Sequence, residues 1–378
     1  MNISNYHIVI LSSIKWDFLW QRHQIFANYL SNYTDVTFVE TTGLRNPDIK
    51  KAISRLYRGT VNGKNLQSKE ADISLKILPP IILPPTSKLF RIMNKSLFVQ
   101  KLRKSIKMGS NKPIILINYL PTQTSLDLVG SLNPEKVVYD CVLNFENFPG
   151  VVKDINDTEN AFIKMADGFI VDSSHLIKKH SEKRKDIIEI PAAVDFEHFN
   201  SIYEENIPST TVKKVTYFGG IDNYRIDWEI IESILAENII VELIGPAPEK
   251  IPIIHPNLIH LQPVSHHLLP QALKDSDVLI LPYKITEFTK GTFPAKLYEC
   301  FATGKPIVAT ALPDLELFEE VIEIGRGKES FVAKLKSAIQ YDVESPQRRL
   351  NRVRIAKDNS WENRCNTFKS VLEKLIDN

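Results

Sequence analysis

The sequence predicts an α/β protein of two doubly wound domains. Three observations predict it. Short runs of Val, Ile and Leu alternate with helical patterns along most of the chain. Those runs are near-continuously apolar, as strands covered on both faces must be. The length of 378 residues fits two domains better than one.

The segment from Phe288 to Thr310, FTKGTFPAKLYECFATGKPIVAT, is the centre of the second domain. Val278 to Leu281 reads as a strand, and a polar loop with Thr289, Lys290 and Gly291 follows. A helix is expected to start near Pro294 and to stop near Gly304, with a new strand over Ile307 to Ala309. Lys296 and Glu299 lie one turn apart and can face the same side. In open α/β sheets ligands sit at the carboxyl ends of the strands. A lysine near a helix start suits an anion such as a diphosphate, and a glutamate one turn on can accept hydrogen bonds from ribose hydroxyls. An ordinary βαβ unit with a surface Lys and Glu is the plainer alternative.

In chain order, His7 to Leu11 is a buried-type strand. The loop that follows carries Asp17 and two tryptophans, Trp16 and Trp20, and Gln21 to Leu30 is helical. Trp16, Trp20, Arg22 and His23 are candidates for contact with a sugar or phosphate, the plainer alternative being that the two tryptophans pack that helix down. Val36 to Glu40 is the second strand. Residues 44–112 then interrupt the pattern with 16 Lys or Arg against 3 Asp or Glu. The block carries +13 while the whole chain carries +2. Within it, Lys88 to Met108 reads as one or two basic amphipathic helices. Charge of this kind favours an acidic partner, such as an anionic membrane surface. Nucleic acid is not expected, because no recognition motif accompanies the charge.

Strands return at Ile114 to Ile117, Val137 to Tyr139, Gly168 to Val171 and Ile187 to Ile190. Val137 to Tyr139 leads into Asp140, Cys141 and a loop with Glu146. Asn200 to Thr211 reads as a linker. The second domain opens with the strand Val215 to Phe218, followed by Gly219-Gly220, where the backbone can approach a ligand closely. Arg225 and Asp227 open a helix to Glu237. Further strands are Ile240 to Ile244 and Leu258 to Leu261, and Trp361 to Ile376 is a final amphipathic helix.

At 43% hydrophobic and 24% charged the composition is that of a globular chain. No apolar run reaches about 18 residues, and the N-terminus lacks the pattern of a signal peptide. The three cysteines, Cys141, Cys300 and Cys365, show neither metal-ligand spacing nor a disulfide framework, and buried apolar thiols are expected. These features fit a cytoplasmic protein.

The order of landmarks resembles a two-Rossmann-domain (GT-B) glycosyltransferase. It is most similar to the bacterial enzymes of teichuronic acid and exopolysaccharide assembly, and more distantly to the xanthan glucuronosyltransferase. The pieces that carry the likeness are SSIKWDFLWQRHQ, VVYDC, ADGFIVDSS, IPAAVDFEHF, YFGGIDNYRIDW, DVLILPY and PAKLYECFATGKPIVAT. The resemblance implies an acceptor-binding domain over 1–200, a nucleotide-sugar domain over 212–355 and a last helix, 356–378, crossing back to the first. It implies transfer of a hexosyl-type sugar from a nucleotide donor, expected to be a UDP-sugar, to a lipid-linked or polysaccharide acceptor. No metal or other cofactor is implied. Carried over by position, Glu299 would bind ribose. Lys290, Lys296 and the Gly219-Gly220 loop with Arg225 would meet the phosphates, and the backbone from Gln262 to Val264 the base.

Two positions depart from the pattern. Gly291 stands where retaining relatives often have a second glutamate. Leu143 stands where close relatives often have an aspartate. A neighbour could take the missing base's place, with Asp140, Glu146 and Asp17 the candidates. Other readings are a mechanism that needs no base, and an inactive relative serving as a binding or scaffolding subunit.

Overall fold

The computed structural model describes residues 2–17, 20–40, 64–67, 74–80, 82–83, 88–108, 110–204, 213–339 and 345–377. The chain divides into two compact units, Met1–Ile190 with Cys365–Asn378, and Pro191–Arg364.

Among the described residues the first unit is built on a sheet of eight strands: β1 (His7–Leu11), β2 (Val36–Val39), β3 (Lys64–Gln67), β4 (Ser74–Leu78), β5 (Ile114–Asn118), β6 (Lys136–Cys141), β7 (Gly168–Val171) and β8 (Ile187–Glu189). Their order across the sheet is β3-β4-β2-β1-β5-β6-β7-β8. Every pairing is parallel except that of β3 with β4. β1 and β5 are buried along their whole length, which explains their unbroken Ile, Val and Leu. The chain reverses its direction of winding between β1 and β5, a topological switch point.

β3 and β4 fall inside the basic block, which the sequence pattern presented as an interruption. Leu75 and Ile77 face the core, while Lys76 between them reaches the Ser105 carbonyl at 2.6 Å. Lysine's long stem lets a strand with a basic residue join a sheet without burying the charge. The basic residues at 45–58, with Pro84 and Pro85, lie outside the described residues. The expected basic helix comprises Lys88–Met93, a π-helical turn Asn94–Phe98 and Val99–Lys107. It buries Val99, Leu102 and Ile106, and Asn94 clasps the backbone of Leu83 through its side-chain oxygen at 2.9 Å and nitrogen at 2.8 Å.

The last helix, Trp361–Asp377, straddles the division. Its Phe368 stacks on Phe26 at 4.1 Å between ring centroids, 11° from parallel. Leu375 fills the space over Gly168, where a Cβ would stand 2.6 Å from its Cδ1.

Among the described residues the second unit carries six strands: β9 (Lys214–Phe218), β10 (Ile240–Ile244), β11 (Leu258–Leu261), β12 (Val278–Leu281), β13 (Ile307–Thr310) and β14 (Glu323–Gly325). All pairings are parallel, in the order β11-β10-β9-β12-β13-β14. Counted from β9 this is 3-2-1-4-5-6, the order of a dinucleotide-binding Rossmann sheet, with its switch point between β9 and β12.

Three expected boundaries move. The first unit ends at Ile190, not near 200, and the stretch expected as a linker starts inside a helix, Phe196–Asn200. Phe196 and Phe199 belong to the second unit's core, and the Asn200 amide donates to the Ala302 carbonyl at 2.8 Å. Residues 356–364 also belong to the second unit. The helix Pro346–Asp358 is held there by the buried Arg352, whose guanidinium donates to the carbonyls of Val321 and Gly304, both at 2.8 Å. Burial of aromatic and apolar side chains, rather than loop-like composition, sets the division.

Candidate nucleotide-binding site

The carboxyl ends of β9 and β12 border the second unit's switch point, and two loops are laced together there. After β9 the chain runs Gly219-Gly220-Ile221-Asp222 and on to Asp227, which caps the helix Trp228–Ala236. After β12 it runs Pro282-Tyr283-Lys284. The Asp227 N–H donates to the Pro282 carbonyl at 2.8 Å, and the Lys284 N–H to the Arg225 carbonyl at 2.7 Å. The Lys284 ammonium donates to the Asn223 carbonyl at 2.7 Å. Arg225, expected inside the helix, is in the loop ahead of it.

Gly219 has φ +119° and Gly245, at the end of β10, φ +145°. A Cβ on Gly245 would stand 2.0 Å from the Gly219 carbonyl oxygen. Glycine at both places brings the two strand ends together in a backbone conformation that L side chains rarely adopt. The Tyr217 hydroxyl donates to the Gly220 carbonyl at 2.9 Å and fixes the turn from below.

Lys296 lies across this glycine turn. A Cβ on Gly219 would meet Lys296 Cε at 1.8 Å, and the ammonium is 5.9 Å from the centroid of the Tyr217 ring. The helix Lys296–Ala302 starts two residues later than expected and is seven residues long. So short a helix aligns few peptide dipoles, and cationic charge here comes from side chains. Burial lowers the Lys296 ammonium and the Glu299 charge counters it. Burial raises the Glu299 carboxyl to about 7 and Lys296 pulls it back. The two side chains expected on one side of the helix therefore do share one electrostatic environment.

Arg225 is anchored by Asp222 at 3.2 Å and lies over the rings of Tyr224 and Phe288, at 5.1 and 5.7 Å. Burial raises Asp222 and Arg225 opposes the rise. Lys290 ends the turn Glu287–Lys290 and pairs with Glu287 at 2.8 Å. Val264, after β11, packs partly buried against the core. Asp222, Tyr217 and Gly245 escaped the sequence reading. Gly245 carried a signal, since Gly245-Pro246 closes a strand as Gly219-Gly220 does.

In the first unit the carboxyl ends of β5, β6 and β7 gather another polar set. Arg22 Nε donates to Asp140 Oδ2 at 2.8 Å and Arg22 Nη2 to Asp140 Oδ1 at 3.0 Å. Arg22 also donates to the Ile190 carbonyl. Burial raises Asp140 and the guanidinium opposes it. Trp16 packs edge-on to Phe38, and His23 is buried against Tyr119 with centroids 3.9 Å apart. Of the four side chains named after β1, Arg22 is paired with Asp140, Trp16 and His23 are buried in ring contacts, and Trp20 is exposed. Asp17 is exposed, and Glu146 pairs with Lys179 at 3.0 Å.

The paired parallel sheets and their strand orders define the GT-B class, and the known structures agree. Sucrose-phosphate synthase from Thermosynechococcus elongatus superposes with a TM-score of 0.69 at 12% identity, covering 98% of this chain and 99% of that one. Anabaena HepE, solved in complex with UDP-glucose, superposes with a TM-score of 0.66 at 12% identity over 97% and 99%. Residues 213–340, within the second unit, match the family Glycosyl transferases group 1. A Bacillus subtilis (strain 168) protein assigned to teichuronic acid biosynthesis as a glycosyltransferase is 23% identical over 231 residues, 55% of this chain. The match spans 57% of that relative's length.

Proposed function

We propose that this protein is a glycosyltransferase that moves a hexosyl-type sugar from a UDP-sugar to a lipid-linked or polysaccharide acceptor in cell-surface glycan biosynthesis. The observation that carries the reading is Lys296 lying over Gly219 at the switch point of a Rossmann-order sheet, with Glu299 one turn on. The likeness to a teichuronic acid glycosyltransferase and to a protein solved with UDP-glucose supports the substrate class.

In this reading the glycine turn lets the diphosphate approach the backbone. Lys296 and Arg225 stabilise the charge that builds as the diphosphate leaves, with Lys290 joining once it exchanges Glu287 for phosphate. Glu299 accepts from the ribose hydroxyls, and the backbone near Val264 meets the base. The transfer step uses protein groups and no metal. The acceptor's proton goes to an accessible carboxylate. Asp17 and Glu146 meet that requirement, whereas Asp140 is committed to Arg22 and positions the start of the helix Arg22–Leu30.

The reading places the protein in the cytoplasm, peripheral to the inner face of the membrane. No helix among the described residues is long and apolar enough to cross a membrane. Leu89, Ile92, Leu97 and Met108 are 58–73% exposed on the basic helix. Lys101, Lys104 and Lys107 are exposed on the same helix. Apolar side chains beside lysines suit an anionic lipid surface.

Calorimetric titration with UDP and with GDP tests the donor site. Binding of UDP that is lost in Glu299→Ala supports it, and no binding of either at millimolar concentration overturns it. A second reading, a non-catalytic scaffolding subunit, draws on Leu143 and on the engagement of Asp140 by Arg22. Turnover with any donor and acceptor rejects it.

A further inference from the structure

Cys141 closes β6, next to Asp140 but separate from its ion pair. Glu159 sits within the helix Ile155–Met165, and His180 ends the helix Ser174–His180. One donor atom from each of these three buried side chains lies within 4.8 Å of the other two. Cys141 Sγ is 3.5 Å from Glu159 Oε1. Both ring nitrogens of His180 are buried without a hydrogen-bond partner. A buried imidazole left unsatisfied is costly, and such a group needs a cause.

We propose that Cys141, Glu159 and His180 form a binding site for a divalent cation of the zinc type. Thiolate, imidazole and carboxylate together are a zinc donor set. Zinc bonds of about 2.0–2.3 Å in tetrahedral array hold donors roughly 3.3–3.8 Å apart, so the sulfur–oxygen separation already fits. A neutral imidazole offers a ring-nitrogen lone pair to a cation. Binding displaces the thiol proton to solvent, and thiolate and carboxylate then balance the cation's two charges.

The surroundings suit a second shell. The Tyr139 hydroxyl donates to Glu159 Oε1 at 2.8 Å and orients the carboxylate. The nearby Lys179 ammonium is already shared by Glu146, at 3.0 Å, and Asn144, at 2.6 Å. The Phe169 ring meets His180 edge-on at 5.5 Å and limits its rotation. A cation here ties the end of β6 to two helices, a structural staple outside the transfer step, and the inference does not depend on the enzymatic reading.

The test is cobalt titration of the full chain after chelator treatment. Expected is a thiolate-to-cobalt charge-transfer band that saturates near one cobalt per chain and disappears when zinc is added. The band persists in a Cys300→Ser/Cys365→Ser double variant, which leaves Cys141 as the sole thiol. It is lost in Cys141→Ser and His180→Ala, and Tyr139→Phe weakens cobalt binding by about tenfold. No band in the unmodified chain overturns the proposal, as does a band abolished by the Cys300 and Cys365 replacements. Because those results do not depend on the folding of Cys141→Ser, a misfolded variant does not rescue the idea.

Discussion

Gly219 and Lys296 occupy adjoining space: a methyl group on Gly219 would lie 1.8 Å from Lys296 Cε. The glycine leaves room for the lysine stem across the turn, and that places the ammonium above the end of β9. Gly219→Ala is expected to displace Lys296 and strain a backbone at φ +119°. UDP affinity should fall about tenfold or more, equivalent to roughly 1.4 kcal/mol. Gly220→Ala is the control, since its Cβ meets nothing nearer than Arg225 Nη1 at 3.5 Å. Equal losses in the two variants, by calorimetry, contradict the assignment.

Burial raises the Glu299 carboxyl from an ordinary 4.5 to about 7. Below that value it is protonated and accepts poorly from ribose. UDP affinity is therefore expected to rise as pH climbs through 7, and Glu299→Gln should flatten the part of the profile that the nucleotide's own phosphates do not explain. The stability effect has the opposite sign. The folded state holds a proton that the unfolded chain has released between about 4.5 and 7, so stability is lost as pH rises across that window. Melting curves should show Glu299→Gln gaining on the unmodified chain at alkaline relative to acid pH.

The Arg22–Asp140 pair is buried, with side chains 7% and 0% exposed. Removing one partner strands a charge, and Arg22→Met or Asp140→Asn is expected to cost about 3–5 kcal/mol in urea unfolding. Replacing both by apolar residues should cost less than the sum. If Asp140→Asn leaves stability unchanged but abolishes turnover, Asp140 is the base after all.

Charge reversal at Lys101, Lys104 and Lys107, or serine at Leu89, Ile92 and Leu97, should reduce flotation with anionic liposomes several-fold. UDP affinity should stay unchanged in the same proteins. Undiminished flotation in both variants removes the membrane assignment.

The class of fold was legible because buried parallel strands write themselves as unbroken apolar runs, as in His7–Leu11, Ile114–Asn118 and Val278–Leu281. β3 and β4 were not, because a strand bearing lysines looks like solvated chain until Lys76 is seen snorkelling to the Ser105 carbonyl. Lys296 and Glu299 could be picked from spacing within one βαβ unit, and Gly219-Gly220 from its place directly after a strand. Asp222 could not, since its role arises from contact with Arg225, and Gly245 showed only as a glycine closing a strand, its role arising from contact with Gly219.

Sequence alone determined the two-unit α/β architecture, the neighbourhood of the proposed donor site and the basic character of the helix from Lys88. These are local properties, carried by periodicity and by residues a few positions apart. Tertiary structure decided that Arg22 pairs with Asp140, that Phe196 and Phe199 join the second unit, and that Cys141, Glu159 and His180 converge. Those residues are brought together by strand order and helix packing, where the burial of apolar surface fixes which polar groups must find each other, and no spacing along the chain records it.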